Sequence, residues 1–182
     1  MAYRLSKTLV MVGLMGAGKT AVGTLLAAKL GVPFLDSDAE IVKAANMSIA
    51  EIFERDGEPF FRLKEAQVLE RLLTGEPCVL STGGGAYLLD SNRALISKYG
   101  VAVWLRADLE LLWQRVKHKD TRPLLRVPNP KEKLTELFNA RQPFYEMAEI
   151  AVDAEPGLSL EEMTEKVIRA LLADPNSGVE EV

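Results

Sequence analysis

Gly13-Leu14-Met15-Gly16-Ala17-Gly18-Lys19-Thr20 is spaced as G-x-x-x-x-G-K-[ST]. Backbone N–H groups of such a turn, with the positive end of the helix that follows, gather around phosphate oxygens. Lys19 can reach the β- and γ-phosphates of a nucleotide, and the Thr20 hydroxyl can ligate Mg²⁺. Gly13, Gly16 and Gly18 keep side chains out of the phosphate's way. The pattern carries weight only between a strand and a helix. Residues 8–12, Thr-Leu-Val-Met-Val, read as a buried strand and residues 21–30 as a helix, so the context is met. Gly16, Ala17, Gly18, Lys19, Thr20 and Ala21 form the candidate nucleotide-binding segment.

Three further groups could complete a reaction. In Asp36-Ser37-Asp38, strand alternation would turn both carboxylates to one side. One could hold Mg²⁺ through water while the other takes a proton from a substrate hydroxyl; Asp38 could instead be a helix N-cap. Gly83-Gly84-Gly85 lets a ligand touch the backbone, or is only a flexible turn. Arg62 could fork onto a substrate carboxylate with Glu65 holding it one helical turn on, although spacing alone favours an ordinary solvated pair. Arg122, in Arg122-Pro123-Leu124-Leu125, falls in a basic, proline-interrupted stretch. That stretch, residues 117–129, is expected to be a mobile lid bringing Arg122 onto transferring phosphate, or else a plain basic loop. Arg141 precedes Pro143 on a long helical run and could be a surface arginine.

These residues need a scaffold. Short apolar runs at 32–35, 77–81, 101–105 and 150–152 alternate with helical patterns at 38–45, 48–55, 59–73, 108–117, 130–147 and 159–172. Ser48 with Glu51 has the spacing of a capping box. Strands separated by helices imply an α/β fold: a central, mainly parallel five-stranded sheet with helices on both faces. Ligands then bind beyond the carboxyl ends of the strands, where the phosphate loop, Asp36/Asp38 and the triple glycine fall. The 182 residues suit a single domain, with residues 8–173 as its core and 174–182 as a frayed tail. A net charge of −4 disfavours general nucleic-acid binding. Arg115, Lys117, Lys119, Arg122 and Arg126 against Asp120 suit a small anion better. The single cysteine, Cys78, excludes an internal disulfide and a cysteine-based metal site, and is expected to be buried. The single histidine, His118, reads as solvated. No apolar run reaches membrane-spanning length and residues 1–7 lack a signal pattern, so a cytoplasmic place is expected.

Taken together, Gly13–Thr20, Phe34-Leu35-Asp36-Ser37-Asp38, Ile49-Ala50-Glu51-Ile52-Phe53, Gly57-Glu58-Pro59-Phe60-Phe61-Arg62, Gly83-Gly84-Gly85, Arg122-Pro123-Leu124-Leu125 and Arg141-Gln142-Pro143-Phe144-Tyr145 closely resemble the shikimate kinases, in order, from about Leu9 to Val152. The phosphate loop is shared by many enzymes, and the combination is far more specific. The resemblance implies a P-loop three-layer fold like that of nucleoside-monophosphate kinases, with a lid. It implies ATP and shikimate as substrates, Mg²⁺ as cofactor and a monomer. Asp38, Arg62 and Arg141 would bind shikimate, the arginines at its carboxylate, with Gly83, Gly84 and Gly85 also in contact. Asp36 would act on Mg²⁺ through water, Arg122 would be the lid arginine, and Arg115 would stack on adenine, with Pro156 nearby. A gluconate- or nucleotide-type kinase of related fold is the nearest alternative. A GTPase switch should carry Asn-Lys-x-Asp and Asp-x-x-Gly strings, and neither occurs.

Overall fold

A computed structural model describes residues 2–117 and 126–182. Five parallel strands form the central sheet: β2 (Thr8–Val12), β3 (Phe34–Asp36), β4 (Val79–Ser81), β5 (Gly100–Arg106) and β6 (Ile150–Asp153). Their spatial order is β3-β4-β2-β5-β6, so β2 lies at the centre. Its register pairs Leu9 with Val79 on one side and Val101 on the other. All five residues of β2 are buried. Successive side chains point to opposite faces, so a strand buried at every position is covered on both.

The described helices are α1 (Lys19–Leu30), α2 (Ser37–Ala45), α3 (Ile49–Leu73), α4 (Asp90–Tyr99), α5 (Leu109–Val116), α6 (Pro130–Tyr145) and α7 (Leu160–Ala173). The Ser48–Glu51 capping box forms at the start of α3, and an equivalent box, Ser159 with Glu162, starts α7. Helical patterns expected at 48–55 and 59–73 are the two arms of α3, separated at Gly57, whose φ of 81° and ψ of 171° are not helical. A second apolar cluster, Ile41, Ile52, Phe61 and Val68, locks α2 to α3 apart from the main core. Phe53 and Phe61 stack across the bend with ring centroids 4.8 Å apart. Helix α4 and the short 3₁₀ turn Ala86–Leu88 before it were not expected from sequence.

The tail differs from the expectation of fraying. Residues Val179–Glu181 form β7, antiparallel to β1 (Tyr3–Leu5), with Leu5 opposite Val179. Val179 joins the core cluster, and buried Ser177 donates from Oγ to Leu171 O at 2.6 Å. That anchorage supplies the order which acidic composition alone does not suggest. Cys78 is buried, beside the Thr8 hydroxyl, as expected. Among the described residues no helix is long and apolar enough to cross a membrane.

Candidate active site

The carboxyl ends of the neighbouring strands β3, β4 and β2 bring three loops to one edge of the sheet. They open on a cleft of about 1460 Å³ lined by Gly16–Val22, Asp36, Asp38, Arg62, Gly83–Gly85, Arg115 and Arg141, among others. Ile49, Ala50 and Phe53 of the first arm of α3 supply an apolar wall. Residues far apart in sequence thus meet where an α/β sheet places ligands.

At the phosphate loop, Gly18 is the N-cap of α1 and Lys19 its first residue. Ala17 N donates to Leu14 O at 3.1 Å, closing the turn. Lys19 folds over the loop, with Nζ donating to Gly13 O at 2.5 Å. Arg115 reaches across from α5, where Nη1 donates to Gly16 O at 3.1 Å and to Ala17 O at 3.2 Å. Both cations therefore border the loop whose amides would receive phosphate.

Asp36 and Asp38 reach the cleft by a route that strand alternation did not anticipate. The strand ends at Asp36, which is itself the N-cap of α2, its Oδ1 accepting from Ala39 N at 3.0 Å. Asp38 is consequently not the cap but a first-turn residue of α2. Burial raises the Asp38 pKa above the ordinary carboxyl value. The charges of Asp36 and Glu65 push it the same way, while Lys19 and Arg62 oppose. A carboxylate so placed takes up a proton more readily than one in water.

The three glycines face three different charged side chains. A Cβ on Gly83 would lie 2.7 Å from Asp38 Oδ1, one on Gly84 2.8 Å from Arg141 Nη1, and one on Gly85 2.7 Å from Arg62 Nη2. Each side chain occupies the space that its glycine vacates. The loop is pinned to α2 by Gly83 N, which donates to Ser37 Oγ at 3.3 Å. The result is an acid and two guanidinium groups ranged along one short backbone segment. Such a set has the chemistry to bind a small molecule bearing a hydroxyl and an anionic group.

Arg62 is not the solvated pair that spacing favours. Its Nη1 donates to Glu65 Oε1 at 2.8 Å, and the Glu65 side chain is 1% exposed. Arg141 sits one helical turn before Tyr145, whose hydroxyl donates to Gly84 O at 3.3 Å. Burial raises the Tyr145 pKa, with the Arg141 charge and hydrogen bond pulling the other way. Sequence reasoning gave no role to Tyr145, although its i, i+4 spacing from Arg141 was visible. Ser37 and Asn92 were passed over, and no local pattern marks them. Pro156 is exposed on the turn between β6 and α7; Glu155, Leu158 and Ser159 beside it line the cleft, and Pro156 itself does not. Arg122 and His118 lie outside the described residues.

Residues 15–172 match a family model described as shikimate kinase. A shikimate kinase from Ruegeria pomeroyi is 62% identical over 93% of this chain and 87% of its own length. One from Cereibacter sphaeroides is also 62% identical, over 95% and 86% respectively. Among solved structures, a shikimate kinase from Acinetobacter baumannii in complex with shikimate superposes with a TM-score of 0.83 at 39% identity. That match covers 93% of this chain and 95% of the other.

Proposed function

The chain belongs to the shikimate kinase family, and from that premise we propose how its cleft works. It transfers the γ-phosphate of ATP to the 3-hydroxyl of shikimate, giving shikimate 3-phosphate and ADP on the route to aromatic amino acids. One observation carries the assignment of roles: Asp38, Arg141 and Arg62 fill the spaces left by three successive glycines, beside the phosphate loop.

The two guanidinium groups clamp the shikimate carboxylate, each by charge-assisted hydrogen bonds. Asp38 orients the attacking hydroxyl and accepts its proton, a role its raised pKa favours. Gly16–Ala21 cradle the phosphates, and Lys19 neutralises charge on the γ-phosphate as the bond to ADP lengthens. Arg115 borders the loop and is proposed to stack on adenine, with Pro156 nearby. Arg122 is proposed, from its sequence string alone, to meet phosphate charge during transfer. The Thr20 hydroxyl and the Asp36 carboxylate are hard oxygen donors, and one or two such groups beside nucleotide phosphates suit Mg²⁺. When bound there, the ion would offset the negative charge of the β- and γ-phosphates. A monomer is proposed as the working unit.

A coupled assay offering shikimate, gluconate and nucleoside monophosphates with MgATP tests the acceptor, and turnover on shikimate alone is expected. Calorimetry on Arg62→Lys and Arg141→Lys tests the clamp. Each keeps charge but loses the planar fork. Shikimate affinity should fall by about 10-fold or more, while ATP affinity holds. Wild-type shikimate affinity in both variants would end the carboxylate assignment.

A further inference from the structure

Behind Arg62 lies a buried amide that the transfer chemistry does not use. Glu65 Oε1 accepts not only from Arg62 Nη1 at 2.8 Å but also from Asn92 Nδ2 at 3.1 Å. Asn92, near the start of α4, is 1% exposed. The same Nδ2 donates to Ala86 O at 3.0 Å, in the turn that follows the three glycines. Two acceptors fix which way the amide faces, because reversing it would set Oδ1 against two oxygens. Oδ1 is left buried without a hydrogen-bond partner among the described residues. A polar atom in that condition is rare and disfavours folding. Leucine has similar volume but would take the amide donor from both Glu65 and Ala86, so the amide supplies two links that packing alone does not.

We propose that Asn92 is a positioning residue for acceptor recognition, holding Arg62 through Glu65. The proposal rests on the reading of Arg62 as a ligand of the shikimate carboxylate. A carboxylate that shares one oxygen between a guanidinium and an amide cannot rotate without losing one of them. Asn92 thereby fixes the anchor of Arg62 on α3. Through Ala86 it also fixes the wall against which Arg62 rests, since Arg62 Nη2 lies 2.7 Å from the Cβ position of Gly85, one residue before Ala86. The amide joins anchor and wall, so the two move together. Bidentate recognition is sensitive to small rotations of the fork, so the effect falls on binding of the acid and spares the nucleotide.

The experiment is a double-substitution cycle, read by calorimetry with shikimate and with MgATP and by steady-state kinetics. Asn92→Leu should raise the shikimate Kd and KM by about 5- to 20-fold. Its kcat should change less, and its MgATP affinity should stay within about twofold. In an Arg62→Met background, which keeps the stem without the charge, Asn92→Leu should add less than about twofold, because the group it positions is gone. If Asn92→Leu does not fold, Asn92→Ser replaces it in the same cycle. An unchanged shikimate Kd overturns the proposal. So does an equal loss in both backgrounds, which would assign the amide to general packing. If Arg62→Met alone leaves shikimate affinity unchanged, the underlying reading of Arg62 fails instead.

Discussion

Asp38 is held where its charge is disfavoured. Desolvation is the main cause, reinforced by Asp36 and Glu65. The folded protein therefore binds this proton more tightly than the unfolded chain does. The stability linked to the carboxyl is present at low pH and is lost as pH rises through the raised value. Asp38→Asn removes that loss. At neutral pH its Tm should exceed the wild-type value, and the gap should narrow as pH falls toward the ordinary carboxyl value. Turnover should drop by roughly 10²- to 10⁴-fold, because an amide cannot take the hydroxyl proton. Calorimetric melts across pH with one activity assay check both, and a lower Tm for Asp38→Asn at neutral pH would contradict the account. The residues of the phosphate loop, Asp36, Asp38 and Gly83–Gly85 were legible because each group is a contiguous string. Arg62 was legible only as one of two readings, since its spacing from Glu65 does not reveal that Glu65 is buried. Asn92 had no local signature at all, because its partners lie on α3 and in the turn before α4.

Among elements, the bend in α3 positions the Arg62 side of the cleft. The arm after Gly57 carries both Arg62 and Glu65, while the arm before it brings Ile49 and Phe53 to the cleft. A Cβ at Gly57 would meet only Pro59 Cδ at 3.8 Å, so Gly57→Ala is penalised by backbone conformation and not by crowding. The cost for a non-glycine residue there is about 1–3 kcal/mol, a fall in Tm of roughly 3–10 °C. If the second arm relaxes to relieve it, shikimate KM should rise while ATP KM holds. Gly31→Ala is the comparison: its φ of 69° is also left-handed, but it caps α1 with nothing within 4 Å. It should lose stability without a selective effect on shikimate, and identical kinetic profiles for the two variants would separate the bend from acceptor binding. The two helical runs were readable on either side of Gly57. Helix α4 was not, because its N-cap is Leu89 with no side-chain cap, and only Asn92 and Ile96 are buried along it. Start signal and apolar periodicity were both too weak.

For the molecule as a whole, alternation of strands and helices was enough to imply a parallel sheet, but not the order of its strands. The β1–β7 ribbon was invisible because two three-residue strands pair across almost the entire sequence. Removing residues 178–182 exposes the site of Val179, whose burial contributes about 1.5–3 kcal/mol. Tm should fall by roughly 3–10 °C. The turnover of the remaining folded protein should persist, since the ribbon lines no part of the cleft. An unchanged melting curve would show the ribbon to be ornamental. The central position of β2 has a consequence for synthesis. Its hydrogen-bonding partners are Val79–Ser81 on one side and Gly100–Trp104 on the other, all translated long after it. A nascent chain must carry this wholly buried strand unpaired until β4 has left the ribosome, and paired on one edge only until β5 follows, a late and non-local closure of the kind that slows folding and invites aggregation. The phosphate loop, hung on the end of β2, is thus among the first segments made and among the last able to grip a nucleotide.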